Sequence, residues 1–145
     1  PAAAGGTATL ELNIGTNELT WDIAFDDLSG PASAMHFHGP AGIGESAGVQ
    51  LDVGGIGGLN SPSSGSATLN PAQANELLAG QWYLNVHTAA NGQGEIRGQL
   101  MPLRLAAWQD ITGGLWEEPL NWTGGIPTPE HTVQIQPTSS TSTIG

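Results

Sequence analysis

Thr7-Ala8-Thr9-Leu10-Glu11-Leu12-Asn13-Ile14-Gly15-Thr16-Asn17-Glu18-Leu19-Thr20-Trp21-Asp22-Ile23-Ala24-Phe25-Asp26 holds two runs of alternation split by one turn. Leu10, Leu12 and Ile14 fall on one side of the first run, with Thr9, Glu11 and Asn13 on the other. Leu19, Trp21, Ile23 and Phe25 repeat the pattern in the second run. A period of two belongs to a strand with one face in a core and one in water. Two such runs around Gly15-Thr16-Asn17 predict an antiparallel β-hairpin.

The same punctuation continues downstream. Asp26 to Pro31 is a loop, and Ala34 to His38 is a short strand stopped by Gly39-Pro40. Ala41 to Ala47 is Gly-rich and loop-like, Val49 to Val53 alternates again, and Gly54 to Gly65 is too rich in glycine to predict an element. Ser66 to Leu69 forms a short strand. Asn70-Pro71 supplies a helix N-cap and first-turn proline, so Ala72 to Ala79 is a short helix closed by Gly80. Gln81 to Thr88 and Glu95 to Leu103 are strands around an Asn91-Gly92 turn, with Ile96 inward and Glu95 and Arg97 on the opposite face. Six or seven short strands and one helix without a βαβ rhythm predict an antiparallel β-sandwich or barrel, for which roughly 100 residues suffice.

Composition narrows the function. The chain has 22 Gly and 10 Pro, favouring turns and short elements. No apolar run approaches the roughly 20 residues of a membrane span, which argues against membrane insertion. Absence of cysteine removes disulfides, thiolate metal sites and cysteine nucleophiles. With no lysine, two arginines (Arg97 and Arg104) and 13 acids, the net charge of -11 argues against nucleic acid and anionic membrane surfaces as partners. The remaining polar surface is mostly Ser, Thr, Asn, Gln and Gly, which suits an extracellular or cell-surface protein. The opening Pro1-Ala2-Ala3-Ala4-Gly5-Gly6 reads as a processed or excised boundary.

The chain carries four histidines, and three lie in predicted strands. If Met35 and Phe37 face the core, His36 and His38 emerge together on the other side. If Trp82, Leu84 and Val86 face the core, His87 emerges as well. Should the two strands be neighbours, three imidazoles share one surface, a candidate site for copper or zinc. An ordinary polar strand face would show the same pattern. His131, in a Pro-rich stretch, reads as a solvated loop residue. Other chemistry is poorly supported. Asp26-Asp27 suits a solvated turn better than paired acid/base catalysis. Gly54 to Gly58 lacks the lysine and helix of a phosphate loop, and no serine sits in a nucleophile elbow. Asp22, Asp26, Asp27, Glu45 and Asp52 form no spaced calcium loop.

Met35-His36-Phe37-His38-Gly39-Pro40-Ala41-Gly42 resembles the chordin-type (CHRD) domain, whose hallmark is an H-x-H-G-P-A motif. So does Tyr83-Leu84-Asn85-Val86-His87-Thr88-Ala89-Ala90-Asn91, followed by Gly94-Glu95-Ile96-Arg97-Gly98-Gln99-Leu100. The resemblance spans residues 7–103. It implies an Ig-like sandwich related to the copper–zinc superoxide dismutase fold, in which a His-x-His strand and a late-strand histidine bind copper. His36, His38 and His87 match those positions, so the resemblance implies copper ahead of zinc. Equally, these histidines and the Gly-Pro turn would hold a loop by hydrogen bonds. The departures are a missing cysteine pair, no histidine between Gly39 and Asp52 for a second metal, and no basic residue expected near the imidazoles. With the strong negative charge, these argue against superoxide dismutation; with no other catalytic motif in the sequence, the chain is expected not to be an enzyme.

Residues 104–145 differ in character. Trp108, Trp116 and Trp122 lie among glycines and prolines, His131 to Gln136 alternates with Val133 and Ile135 on one side, and the end is almost all Ser and Thr. Such a segment has too little apolar material for its own core. It is expected to supply one or two strands that pack on the domain or on a neighbouring subunit. Gly114-Leu115-Trp116 with Asn121-Trp122-Thr123-Gly124-Gly125 and Pro127 resembles a short motif of bacterial exported repeat proteins, and Asn121-Trp122-Thr123 is a formal glycosylation sequon. Two functions follow as expectations. One is an extracellular structural subunit, of a filament or matrix, that forms a homo-oligomer by adding its C-terminal strand to a neighbour's sheet. The other is a copper-binding module for storage, delivery or redox chemistry.

Overall fold

The computed structural model describes residues 3–102, 132–137 and 142–143. The expectations for Trp108, Trp116, Trp122, the sequon at Asn121 and His131 lie outside the described residues. The opening hairpin forms as its alternation requires. Strand β1 (Gly5–Asn13) pairs antiparallel with β2 (Glu18–Asp26), Leu10 opposite Trp21 and Leu12 opposite Leu19. The Asn13 carboxamide oxygen accepts from the backbone N–H groups of Gly15 and Thr16 at 2.9 and 3.1 Å, and Asn17 takes a positive φ of 58°. Asparagine tolerates that conformation better than most residues.

The remaining elements are β3 (Ala32–His38), β4 (Val49–Asp52), α1 (Val53–Gly57), β5 (Ser63–Thr68), α2 (Pro71–Leu78), β6 (Trp82–Thr88), β7 (Ile96–Pro102), β8 (Thr132–Pro137) and β9 (Ser142–Thr143). They make two antiparallel layers, β4-β3-β6-β7 and β1-β2-β5, joined along one side by β8, which pairs with both β1 and β7. The all-β sandwich expected from the sequence is therefore present. Its core lies between the layers: Leu10, Leu12, Leu19, Trp21 and Ile23 from one, Met35, Phe37, Trp82, Val86 and Leu100 from the other. Trp21 meets Phe37 edge-on at 5.8 Å between centroids, and Phe37 lies 6.3 Å from Trp82. Burial of each such side chain contributes about 1.5–3 kcal/mol.

Three local expectations change. The Gly54–Gly58 stretch is not a plain loop: Val53–Gly57 forms a helical turn whose N-cap, Asp52, accepts from Gly55 N–H at 2.9 Å. Val53 is fully buried as the first residue of that turn rather than as a strand residue, while Val49 is 52 % exposed. Glu95 precedes β7 instead of standing on its outer face, and it is buried. The other helix matches its signals. Asn70 accepts from Gln73 N–H and the Gln73 side chain returns to Asn70 N–H, a reciprocal cap that satisfies two of the orphan donors at the start of α2.

Candidate metal centre

Strand parity and register place the imidazoles. Met35 and Phe37 of β3 are fully buried in the core, so His36 and His38 emerge on the outer face of the sheet. Strand β6 is the neighbour of β3, with His38 opposite Tyr83, His36 opposite Asn85 and Ala34 opposite His87. Trp82, Leu84 and Val86 point into the core, which leaves Tyr83, Asn85 and His87 outward. The three expected ligands thus converge: one nitrogen from each of His36, His38 and His87 lies within 4.8 Å of the others. Among the described residues this is the group with metal-ligating geometry, and Asp22, Asp26, Asp27, Glu45 and Asp52 assemble no comparable set.

Two of the rings have one nitrogen hydrogen-bonded to a backbone carbonyl. His38 Nδ1 lies 3.0 Å from the Ala47 carbonyl, and His87 Nδ1 lies 3.1 Å from the Gly92 carbonyl. A carbonyl accepts only from an N–H, so both rings carry the proton on Nδ1 and present an Nε2 lone pair. His36 has its Nε2 3.9 Å from Asp52 Oδ1 and its Nδ1 3.3 Å from His87 Nε2. The inward-turned atoms are therefore His36 Nδ1, His38 Nε2 and His87 Nε2. Backbone carbonyls behind His38 and His87 are the kind of outer partner that fixes orientation and tautomer at metal-bound histidines, whereas Asp52 stands near His36 as a charge without a hydrogen bond. His38 Nε2 is buried with no hydrogen-bond partner, which is costly for a polar atom unless something else meets it. Three imidazoles without thiolates are a donor set that could hold a metal ion such as copper or zinc.

The protonation balance favours metal-competent rings. Burial, then the neighbouring His87, holds His36 below the ordinary histidine value, with Asp52 opposing. Burial also lowers His38, the Ala47 carbonyl opposes, and His36, His87 and Arg97 push it down further. Both rings are thus less protonated than a free histidine at the same pH, and only a neutral imidazole ligates.

A covering loop completes the site. Residues 39–48 fold back over the outer face. Ala41 N–H donates to the Gln81 carbonyl at 2.7 Å, and Gln99 Nε2 donates to the Ala41 carbonyl at 2.9 Å. Ala47 N–H donates to the Tyr83 hydroxyl at 3.2 Å. Gly39 lies against the Trp82 ring, where no Cβ fits. The loop buries Tyr83, Gln99 and most of His38. His38 therefore does serve as a loop anchor through Nδ1, while its Nε2 faces the other imidazoles.

Tyr83 and Arg97 were not legible as site residues. Tyr83 stacks on His38 at 4.9 Å and 6° between planes, and the Arg97 guanidinium sits 3.6 Å from the Tyr83 ring centroid. The expectation of no cation near the imidazoles is corrected: Arg97 lies one ring away and acts on His38 by charge. Its outward parity was visible, but the strand pairing that brings it beside Tyr83 was not. Glu95 was missed as well. Its carboxylate accepts from Ser29 N–H, Ser29 Oγ and Thr88 Oγ1 at 2.6 Å each, and from Asn91 Nδ2 at 3.0 Å. Those bonds, led by Ser29 and Thr88, hold its pKa at about 2. They fix the β6–β7 turn whose Gly92 carbonyl orients His87.

The CHRD domain family model matches residues 1–100, which include all three imidazoles and both strands that carry them. The chain belongs to the CHRD domain family. The match covers nearly the same stretch as the 7–103 resemblance and takes in β1 to β6 and most of β7. Searches of curated proteins and of solved structures each return no match. Among the described residues of this CHRD domain, no helix is long and apolar enough to cross a membrane.

Proposed function

We propose that this CHRD domain is an exported structural module that binds one copper ion through His36 Nδ1, His38 Nε2 and His87 Nε2. One observation supports the reading: His38 and His87 are oriented from behind by the Ala47 and Gly92 carbonyls, and one nitrogen from each of the three rings lies within 4.8 Å of the others. Copper is favoured over zinc because divalent copper binds nitrogen donors most tightly in the first-row series. When bound, copper would supply a redox-active, Lewis-acidic centre, suited to storage, delivery or electron transfer. The protein's share is to hold neutral imidazoles and screen them with the 39–48 loop. CHRD domains are of an extracellular type and occur in secreted proteins, which supports the exported setting.

The test is calorimetric titration of Cu(II), with electron paramagnetic resonance to count nitrogen ligands. One equivalent should bind with three-nitrogen coordination. His36→Ala should weaken binding by at least about 100-fold, at the upper end of what loss of a mere outer partner does. His36 is the cleanest choice because it anchors no loop. Unchanged affinity in His36→Ala and His87→Ala alike would leave only the loop-anchoring role.

A further inference from the structure

Strand β8 stands in an unusual place. Without it the described strands form two separate layers, and β1 and β7 are the edges it joins. Its first half pairs with β1, Val133 opposite Leu12 and Ile135 opposite Leu10; its second half pairs with β7, Leu100 opposite Pro137 and Pro102 opposite Ile135. Strand β9 continues along the same edge of β7, at Ile96 and Arg97. Leu10, Leu12 and Leu100, on the two edges that β8 bridges, are fully buried core residues. A sandwich open along this side would leave two rows of unpaired backbone groups beside its core, and an edge of that kind recruits a strand.

The connection to β8 is far longer than its position requires. Strands β7 and β8 are antiparallel neighbours that begin pairing at Pro102 and Ile135. Hairpins of that kind close with roughly 2–5 residues. Here residues 103–131 intervene, which is 29 residues counted from the numbering. Fully extended, such a length reaches on the order of 100 Å, several times the roughly 13 Å radius of gyration of a 100-residue domain. A long tether also lowers the effective concentration of the strand at its own edge. The strand segment is chemically suited to leave home. Thr132 to Thr143 contains no charged residue in a chain of net charge -11, so it can enter a second copy without adding like charge.

We propose that β8 is a donor strand: in the assembled protein it fills the β1–β7 edge of a second copy of this chain, which passes its own β8 onward. The interface is head-to-tail, so it generates a fibre or a ring rather than a two-fold dimer. The inference is independent of the metal reading, since it rests on strand pairing and the length of the connection alone.

The test uses the absence of native cysteine. Glu11 lies opposite Gln134, and Met101 lies opposite Gln136. The full chain carrying Glu11→Cys with Gln134→Cys, and separately Met101→Cys with Gln136→Cys, is oxidised and run on a non-reducing gel. Strand exchange gives a ladder of covalent multimers for both pairs, whereas Thr20→Cys with Gln134→Cys gives none. Mixing a Glu11→Cys chain with a Gln134→Cys chain gives a covalent dimer. An internally cross-linked monomer for both register pairs, no cross-link in either, or an equal ladder from the Thr20 control would each overturn the proposal. The second pair keeps the test valid if one variant fails to fold.

Discussion

The outer faces of the two layers behave differently. On β1 and β2 the outward residues Thr9, Glu11, Glu18, Thr20 and Asp22 are exposed, and burial alternates as regularly as the sequence does. On β6 the outward residues Tyr83 and Asn85 are as buried as the inward ones, and six of its seven residues are buried. The chain itself makes this difference, by laying residues 39–48 over Tyr83 and the turn at Gln93-Gly94 against Asn85 on one sheet, and nothing described over the other. A polar side chain on the first face meets water. On the second it must find a protein partner or, as with His38 Nε2, be left without one. The imidazoles therefore sit where a pleated sheet has been given a second, polar interior.

The comparison sharpens under substitution. The largest effect should come from the shared core. Phe37→Ala removes the ring between Trp21 and Trp82 and should cost about 3–5 kcal/mol by chemical denaturation. A loss below about 1 kcal/mol would mean the layers do not interlock there.

Next comes Glu95→Gln, which takes the charge from four donors at the end of the covered face. The sign follows from the depressed pKa. Because folding lowers it from 4.5 to about 2, the carboxylate stabilises the fold fully above about pH 4.5, and this contribution disappears as pH falls toward about 2. The melting temperature of Glu95→Gln should lie well below that of the parent at pH 7, and the two should approach each other by pH 3. A gap independent of pH would exclude the carboxylate as its cause.

The smallest effects compare the faces directly. Tyr83→Phe deprives the Ala47 N–H of its acceptor and should cost about 1–3 kcal/mol. Thr20→Ala, on the open face, should stay within about 0.5 kcal/mol of the parent. Equal costs for the two would break the distinction between a covered and an open sheet.

Much of this molecule is written in local pattern. Alternation alone decided the β1–β2 hairpin, the inward Met35, Phe37, Trp82 and Val86, and hence the outward His36, His38 and His87, because side-chain parity on a strand is a property of neighbouring residues. Asn70 and Pro71 decided the start of α2 for the same reason: a cap is a contact within one turn. What no local pattern contains is which strands become neighbours. Only the pairing of β3 with β6 brought His87 within reach of His36, and only the pairing of β6 with β7 set Arg97 on Tyr83. Asp52 behind His36, Ala47 behind His38 and Ser29 on Glu95 are likewise contacts between segments far apart in the chain or folded back by a loop. Parity thus fixed what each strand offers, whereas the closing of one layer on another, driven by burial of the apolar faces, decided what those offers meet.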